Sequence, residues 1–121
     1  MSTQGTDPRR HSPWIGVDLD GTLAENYESY DSNEVGKPVE SMVKKVRQLI
    51  HEGHDVRLFT ARQPHPAIRR WMKEHLGTVL PITNTKDPGM LVMYDDRAVH
   101  VHRNQGVFSE EDEKRVLSRK K

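Results

Sequence analysis

Two aspartates, Asp18 and Asp20, stand one residue apart at the end of the apolar run WIGVDL (14–19). In an extended chain residues i and i+2 share a side, so both carboxylates face the same way. Two like charges held together need a cation. With no cysteine in the chain, oxygen ligands suit a hard ion such as Mg2+, which leaves positions for water and phosphate oxygens. A second acidic pair, Asp95 and Asp96, follows the short apolar run LVMY (91–94), and Asp95 is a candidate third ligand. Gly21 allows close backbone approach or a positive φ, and Thr22 adds a hydroxyl and an N–H, so the turn after the first pair reads as anion-binding.

A carboxylate can attack phosphorus and divide one hard displacement into two easier ones. Asp18 is the candidate nucleophile, and Asp20 can protonate the leaving oxygen and then take a proton from water. Negative charge on the phosphoryl oxygens would be met by the metal, by the ammonium of Lys86 and by the hydroxyl of Thr60. Arg62, two residues beyond Thr60, reads either as a surface pairing residue or as a substrate contact.

These residues need a frame that brings strand ends together. WIGVDL reads as a buried first strand. Residues 23–37, with four acids and one lysine, read as an exposed loop or small hairpin. From Pro38 the positions Val39, Met42, Val43, Val46, Leu49 and Ile50 repeat with helical spacing, with Pro38 suited to the first turn and Gly53 to the stop. DVRLFT (55–60) predicts a strand, 67–76 a helix ended by Gly77, and VLPIT (79–83) and LVMY two more strands. A last strand is expected at 98–102. Ser109 with Asp112 resembles a capping box for a helix over 109–120, which only Val116 and Leu117 could dock. Alternating strands and helices with short loops predict an α/β fold, a parallel sheet flanked by helices, whose chemistry gathers beyond the strands' carboxyl ends.

The stretch IGVDLDGTLA (15–24) closely resembles the first motif of the haloacid dehalogenase-like hydrolase superfamily, hhhhDxDGT. LFT ending at Thr60 resembles the second motif, Lys86 in TNTKDPG the third, and VMYDD ending at Asp95 and Asp96 the fourth, in the family's order; the likeness runs from about Trp14 to Val99. It implies a three-layer Rossmann-like fold, a Mg2+ ion and an aspartyl-phosphate intermediate. By that resemblance Asp18 is nucleophile and metal ligand, and Asp20 is the acid/base with its backbone carbonyl on the metal. Asp95 would hold the ion, with Asp96 assisting directly or through water, while Thr60 and Lys86 would meet the phosphoryl oxygens. Asp20 favours a phosphatase over a dehalogenase. Only nine positions separate Lys86 from Asp95, which leaves no helix between them, a departure from the family pattern. Neither usual insertion point has room for a cap domain. The site is therefore expected to be open, as in small capless phosphatases, accepting a large substrate or borrowing a cover from a second copy in a homo-oligomer. TARQPHPAIRRWMKEHLG (60–77) is also similar to the corresponding stretch of the phosphatase domain of polynucleotide kinases, which adds nucleic-acid ends to small phosphorylated molecules as substrates.

The chain's 121 residues allow one domain with tails: a disordered leader over 1–13, a catalytic domain over 14–108 and a charged C-terminal helix or tail over 109–121. With 19 basic and 18 acidic side chains the net charge is only +1, although 44–73 holds eight Lys and Arg against two acids. The absence of cysteine excludes a disulfide scaffold and a thiolate site, and no long apolar run predicts a membrane span, so the cytoplasm is the expected compartment. The pairs His51/His54 and His100/His102 lack zinc-site spacing and a third ligand. Two other function classes fit parts of the pattern. A catalytically silent module could keep the pocket to bind a phosphorylated partner. A receiver-type phosphoacceptor domain would carry its acidic pair on the first strand and its acceptor mid-chain, the reverse of the order here.

Overall fold

The computed structural model describes residues 12–26, 34–63 and 66–119. Most of the expected leader and the middle of the acidic loop lie outside them. Along the chain run β1 (Trp14–Asp18), α1 (Glu40–His51), β2 (Val56–Phe59), α2 (Pro66–Leu76), β3 (Ile82–Thr83), β4 (Met90–Tyr94) and α3 (Glu110–Leu117). The strands form one all-parallel sheet in the order β3-β2-β1-β4, the α/β arrangement that the alternating pattern predicts.

Ile15 and Val17 of β1 and Val56 and Leu58 of β2 fall on one face by the two-residue period of a strand. Val43, Val46 and Leu49 of α1 and Ile68, Met72 and Leu76 of α2 close over them in a single cluster. Both helices share that face because successive right-handed crossovers, β1 to β2 to β3, advance in one direction. The opposite face is covered differently. Trp14, 1% exposed, lies under the guanidinium of Arg57, 4.6 Å from the ring centroid, and donates its indole N–H to Asp87 at 2.8 Å. Gly16 sits between, where a Cβ would meet the Met93 sulfur at 2.8 Å.

Several elements differ from the sequence expectation. Helix α1 begins at Glu40 with Val39 as its cap, and Pro38 instead forms an antiparallel bridge with Ala24. The Glu25 N–H donates to the Lys37 carbonyl at 2.8 Å and the Val39 N–H to Leu23 at 2.9 Å, so the acidic loop rises from a hairpin-like base. Strand β3 is cut to two residues, since Pro81 has no N–H for the ladder, although its carbonyl accepts from Leu58. No strand forms over 98–102. There the chain leaves the sheet at the Asp96–Arg97 turn, Val101 is 52% exposed, and His102 bonds to Val107 around a turn with positive φ at Asn104 and Gly106. Ser109 caps α3 as expected, its hydroxyl accepting from the Asp112 N–H. The helix is not docked by Val116 and Leu117, for it buries no side chain and Leu117 is 61% exposed.

Candidate functional site

The sheet order changes direction at β1. The chain runs from β1 outward to β3 on one side and returns to β4 on the other, which opens a crevice at the carboxyl ends of β1 and β4. Val17 pairs with Tyr94, so Asp95 follows one step beyond its strand beside Asp18, the last residue of β1. Asp18, Asp95 and Asp96 each bring a carboxylate oxygen to within 4.8 Å of the others, all three half-buried. Among the described residues this is the one group of acidic or imidazole side chains close enough to hold an ion; the rings of His100 and His102 meet edge-on without a third partner in such a cluster.

Crowding sets the electrostatics. Burial, then the charge of Asp95, then a shared hydrogen bond and repulsion with Asp96 push the Asp18 carboxyl up to about 7. Asp96 moves the other way. Burial opposes its ionisation, yet hydrogen bonds from Arg119, Thr22 and Asp18 hold it below the usual carboxylate range. The Thr22 hydroxyl donates to Asp96 at 2.9 Å and accepts from the Asp96 N–H at 3.0 Å, a two-way tie between the turn after β1 and the turn after β4. Gly21 has φ +89°, and a Cβ there would collide with the Asp96 carboxylate, so glycine serves both the turn and the approach. The Asp95 carboxylate accepts the Arg97 N–H at 2.8 Å.

Asp20 points to a different partner. Its two carboxylate oxygens receive a fork from Arg62, with Nε and Nη2 each at 2.8 Å, while Arg62 Nη1 donates to the Glu34 carbonyl. The Arg62 N–H rests on the Thr60 hydroxyl at 3.1 Å, and Thr60, 2% exposed, borders a recess. That recess, about 220 Å³, is lined by Thr60, Arg62, Gln63, Ile82, Thr83 and Asn84. Trp71, a buried residue of α2, donates its indole N–H to the Gly36 carbonyl, so α2 and Arg62 together hold the returning limb of the acidic loop.

The structure thus brings Asp18, Gly21, Thr22, Asp95 and Asp96 together, with Asp20, Thr60 and Arg62 as an adjoining group. Lys86 makes no hydrogen bond or ion pair with any of them. It is exposed on the β3–β4 loop, one residue from Asp87, and that aspartate bonds to Trp14 at the opposite end of β1. The loop must carry the chain from the carboxyl end of β3 to the amino end of β4 within six residues. Sequence reasoning missed Arg119, which falls within the charged C-terminal helix or tail expected over 109–121. Its Nη2 donates to the Asp96 carboxylate at 2.8 Å and its Nη1 to the Asp96 carbonyl at 3.0 Å, with Arg115 reaching the same carbonyl at 3.4 Å. Bases at the end of an acid-first helix were visible, but nothing local tied them to an acid nineteen or more positions earlier.

No protein-family model matches the chain, and no curated protein matches it. A solved structure described as a conserved protein from Bacteroides thetaiotaomicron is similar, with a TM-score of 0.54 over 91% of this chain and 93% of that one. The two are 19% identical. That likeness is one of fold. None of the described helices is long and apolar enough to cross a membrane.

Proposed function

We propose that the chain is a Mg2+-dependent phosphomonoester hydrolase of the haloacid dehalogenase-like type with no cap domain. The observation that carries this reading is the convergence of Asp18, Asp95 and Asp96 within 4.8 Å. The donor set fits the ion: three carboxylates, no softer ligand, and an Asp18 carboxyl raised by burial and then by the charges of its two acidic neighbours. When bound, Mg2+ would supply charge neutralisation for an incoming phosphoryl group. Asp18 Oδ attacks phosphorus, the bond to the ester oxygen breaks, and that oxygen leaves with a proton from Asp20, which takes one back from the attacking water in the second step. Water then attacks the phosphorus of phospho-Asp18, the bond to Asp18 Oδ breaks, and inorganic phosphate departs. Thr22 keeps Asp96 oriented through both steps, and the buried Thr60 sets the start of the loop that carries Arg62.

Substrate class follows from openness and charge. Arg57 is engaged by Asp55, Asp87 and Trp14, and Arg62 by Asp20, so two of the eight bases in 44–73 are already spent within the fold. Small phosphorylated molecules therefore stand ahead of nucleic-acid ends. One observation favours a second reading, a phosphate-binding module without turnover: both oxygens of Asp20, the expected acid/base, are held by Arg62. Phosphate release from sugar phosphates, nucleotides and 3′- and 5′-phosphorylated oligonucleotides, with Mg2+ or EDTA, separates the two. Turnover with Mg2+ that falls about a thousand-fold or more in Asp18→Asn supports the hydrolase. Phosphate binding without release supports the module.

A further inference from the structure

Helix α3 is held to the domain by charge. Its apolar side chains are not buried, its amino end is capped by its own Ser109, and its attachment runs through Arg119 and Arg115 onto Asp96. Arg119 is 40% exposed along its side chain, whereas the Asp96 side chain is 17% exposed. Asp96 does not depend on that contact for its position, because Thr22 grips both its carboxylate and its N–H from the other side. The guanidinium therefore neutralises a member of the carboxylate trio without being needed to orient it.

We propose that Arg119, backed by Arg115, is a built-in counter-cation of this site that competes with a divalent ion, so that α3 is fastened when the trio is bare and loosened when it is loaded. The inference rests on the metal-site reading above. A metal shared by Asp18, Asp95 and Asp96 withdraws negative charge from the oxygens that attract Arg119, and the two cations repel one another across a short distance. By linkage the effect is reciprocal: whatever factor the strap subtracts from metal affinity, the metal subtracts from the strap. An exposed guanidinium–carboxylate pair is worth up to about 1 kcal/mol, so the coupling is about two- to five-fold.

The test is calorimetric titration of the full chain with MgCl2 at fixed ionic strength, with Arg119→Ala, Arg119→Lys and Lys114→Ala alongside. Lys114 lies on the same helix, carries the same charge and makes no such contact with Asp96. Arg119→Ala is expected to bind Mg2+ two- to five-fold more tightly than wild type, Arg119→Lys to stay near wild type, and Lys114→Ala to change little. Amide exchange over 110–117 in wild type is expected to quicken by a similar factor when Mg2+ is added. Unchanged affinity in Arg119→Ala, weaker affinity there, or equal tightening in Lys114→Ala overturns the strap while leaving the metal site standing. No Mg2+ binding by wild type or any variant overturns both.

Discussion

Asp18 has an arginine-held carboxylate on either flank, and the two pairs are built differently. The Asp20–Arg62 pair is framework: Arg62 lies three residues past the end of β2, its N–H sits on buried Thr60, and its third nitrogen grips the acidic loop. The Asp96–Arg119 pair reaches across from a helix that buries nothing. Both have a 2.8 Å contact between guanidinium and carboxylate. Distance alone therefore says little about strength. What differs is how much freedom remains to be lost when the pair forms, and how much water screens it, with the Arg62 side chain 17% exposed against 40% for Arg119.

That contrast is most directly broken by truncation. Arg62→Ala removes the guanidinium that donates to both Asp20 oxygens and to the Glu34 carbonyl, and is expected to destabilise the fold by about 2–3 kcal/mol in urea unfolding. Arg119→Ala is expected to cost less than about 1 kcal/mol in the same measurement, and equal losses would remove the distinction. Gly21→Ala should fall between them, at about 1–2 kcal/mol, through a strained φ and a clash with Asp96, and it should also free Arg119 from its partner.

A smaller effect sharpens the comparison through pH. Asp18 is raised to about 7, so the folded chain holds a proton there that the unfolded chain releases at ordinary carboxylate pH. The folded state binds more protons across that window, and stability falls as pH rises from about 4 to about 7. Above that range the penalty is complete. Asp18→Asn removes it, and is expected to melt higher than wild type at pH 8 in the absence of metal, by on the order of 1 kcal/mol after solvent screening, with no difference near pH 4. Asp96 has the opposite sign. Its carboxyl is held low, so its pairing with Arg119 is lost only on acidification, and thermal melts below pH 4 should report that loss.

Local periodicity made α1 and α2 legible, since Val43, Val46 and Leu49, and then Ile68, Met72 and Leu76, are buried where helical spacing puts them. The adjacency of Asp18 and Asp95 was legible for a related reason: Asp18 ends β1, Asp95 comes just after β4, and parallel strands align their carboxyl ends. The fate of Pro38 was less so. Its φ suits a first helical turn, but the bridge to Ala24 satisfied the hairpin base instead. Residues 98–102 show the limit of alternation as a signal, because a strand needs a neighbour and the chain turns away from the sheet before one is available.

The order of elements, the apolar face of each, and the residue types gathered beyond β1 and β4 are properties of the sequence alone, because they arise from spacing within short segments. Tertiary structure decided which charge meets which. Asp20 and Arg62 lie 42 positions apart, Asp96 and Arg119 lie 23 apart, and Asp87 takes the indole N–H of Trp14 from 73 positions away. Such pairings carry no periodicity, since a charged side chain is satisfied by any opposite charge or by water, and only the folded path determines which one it reaches.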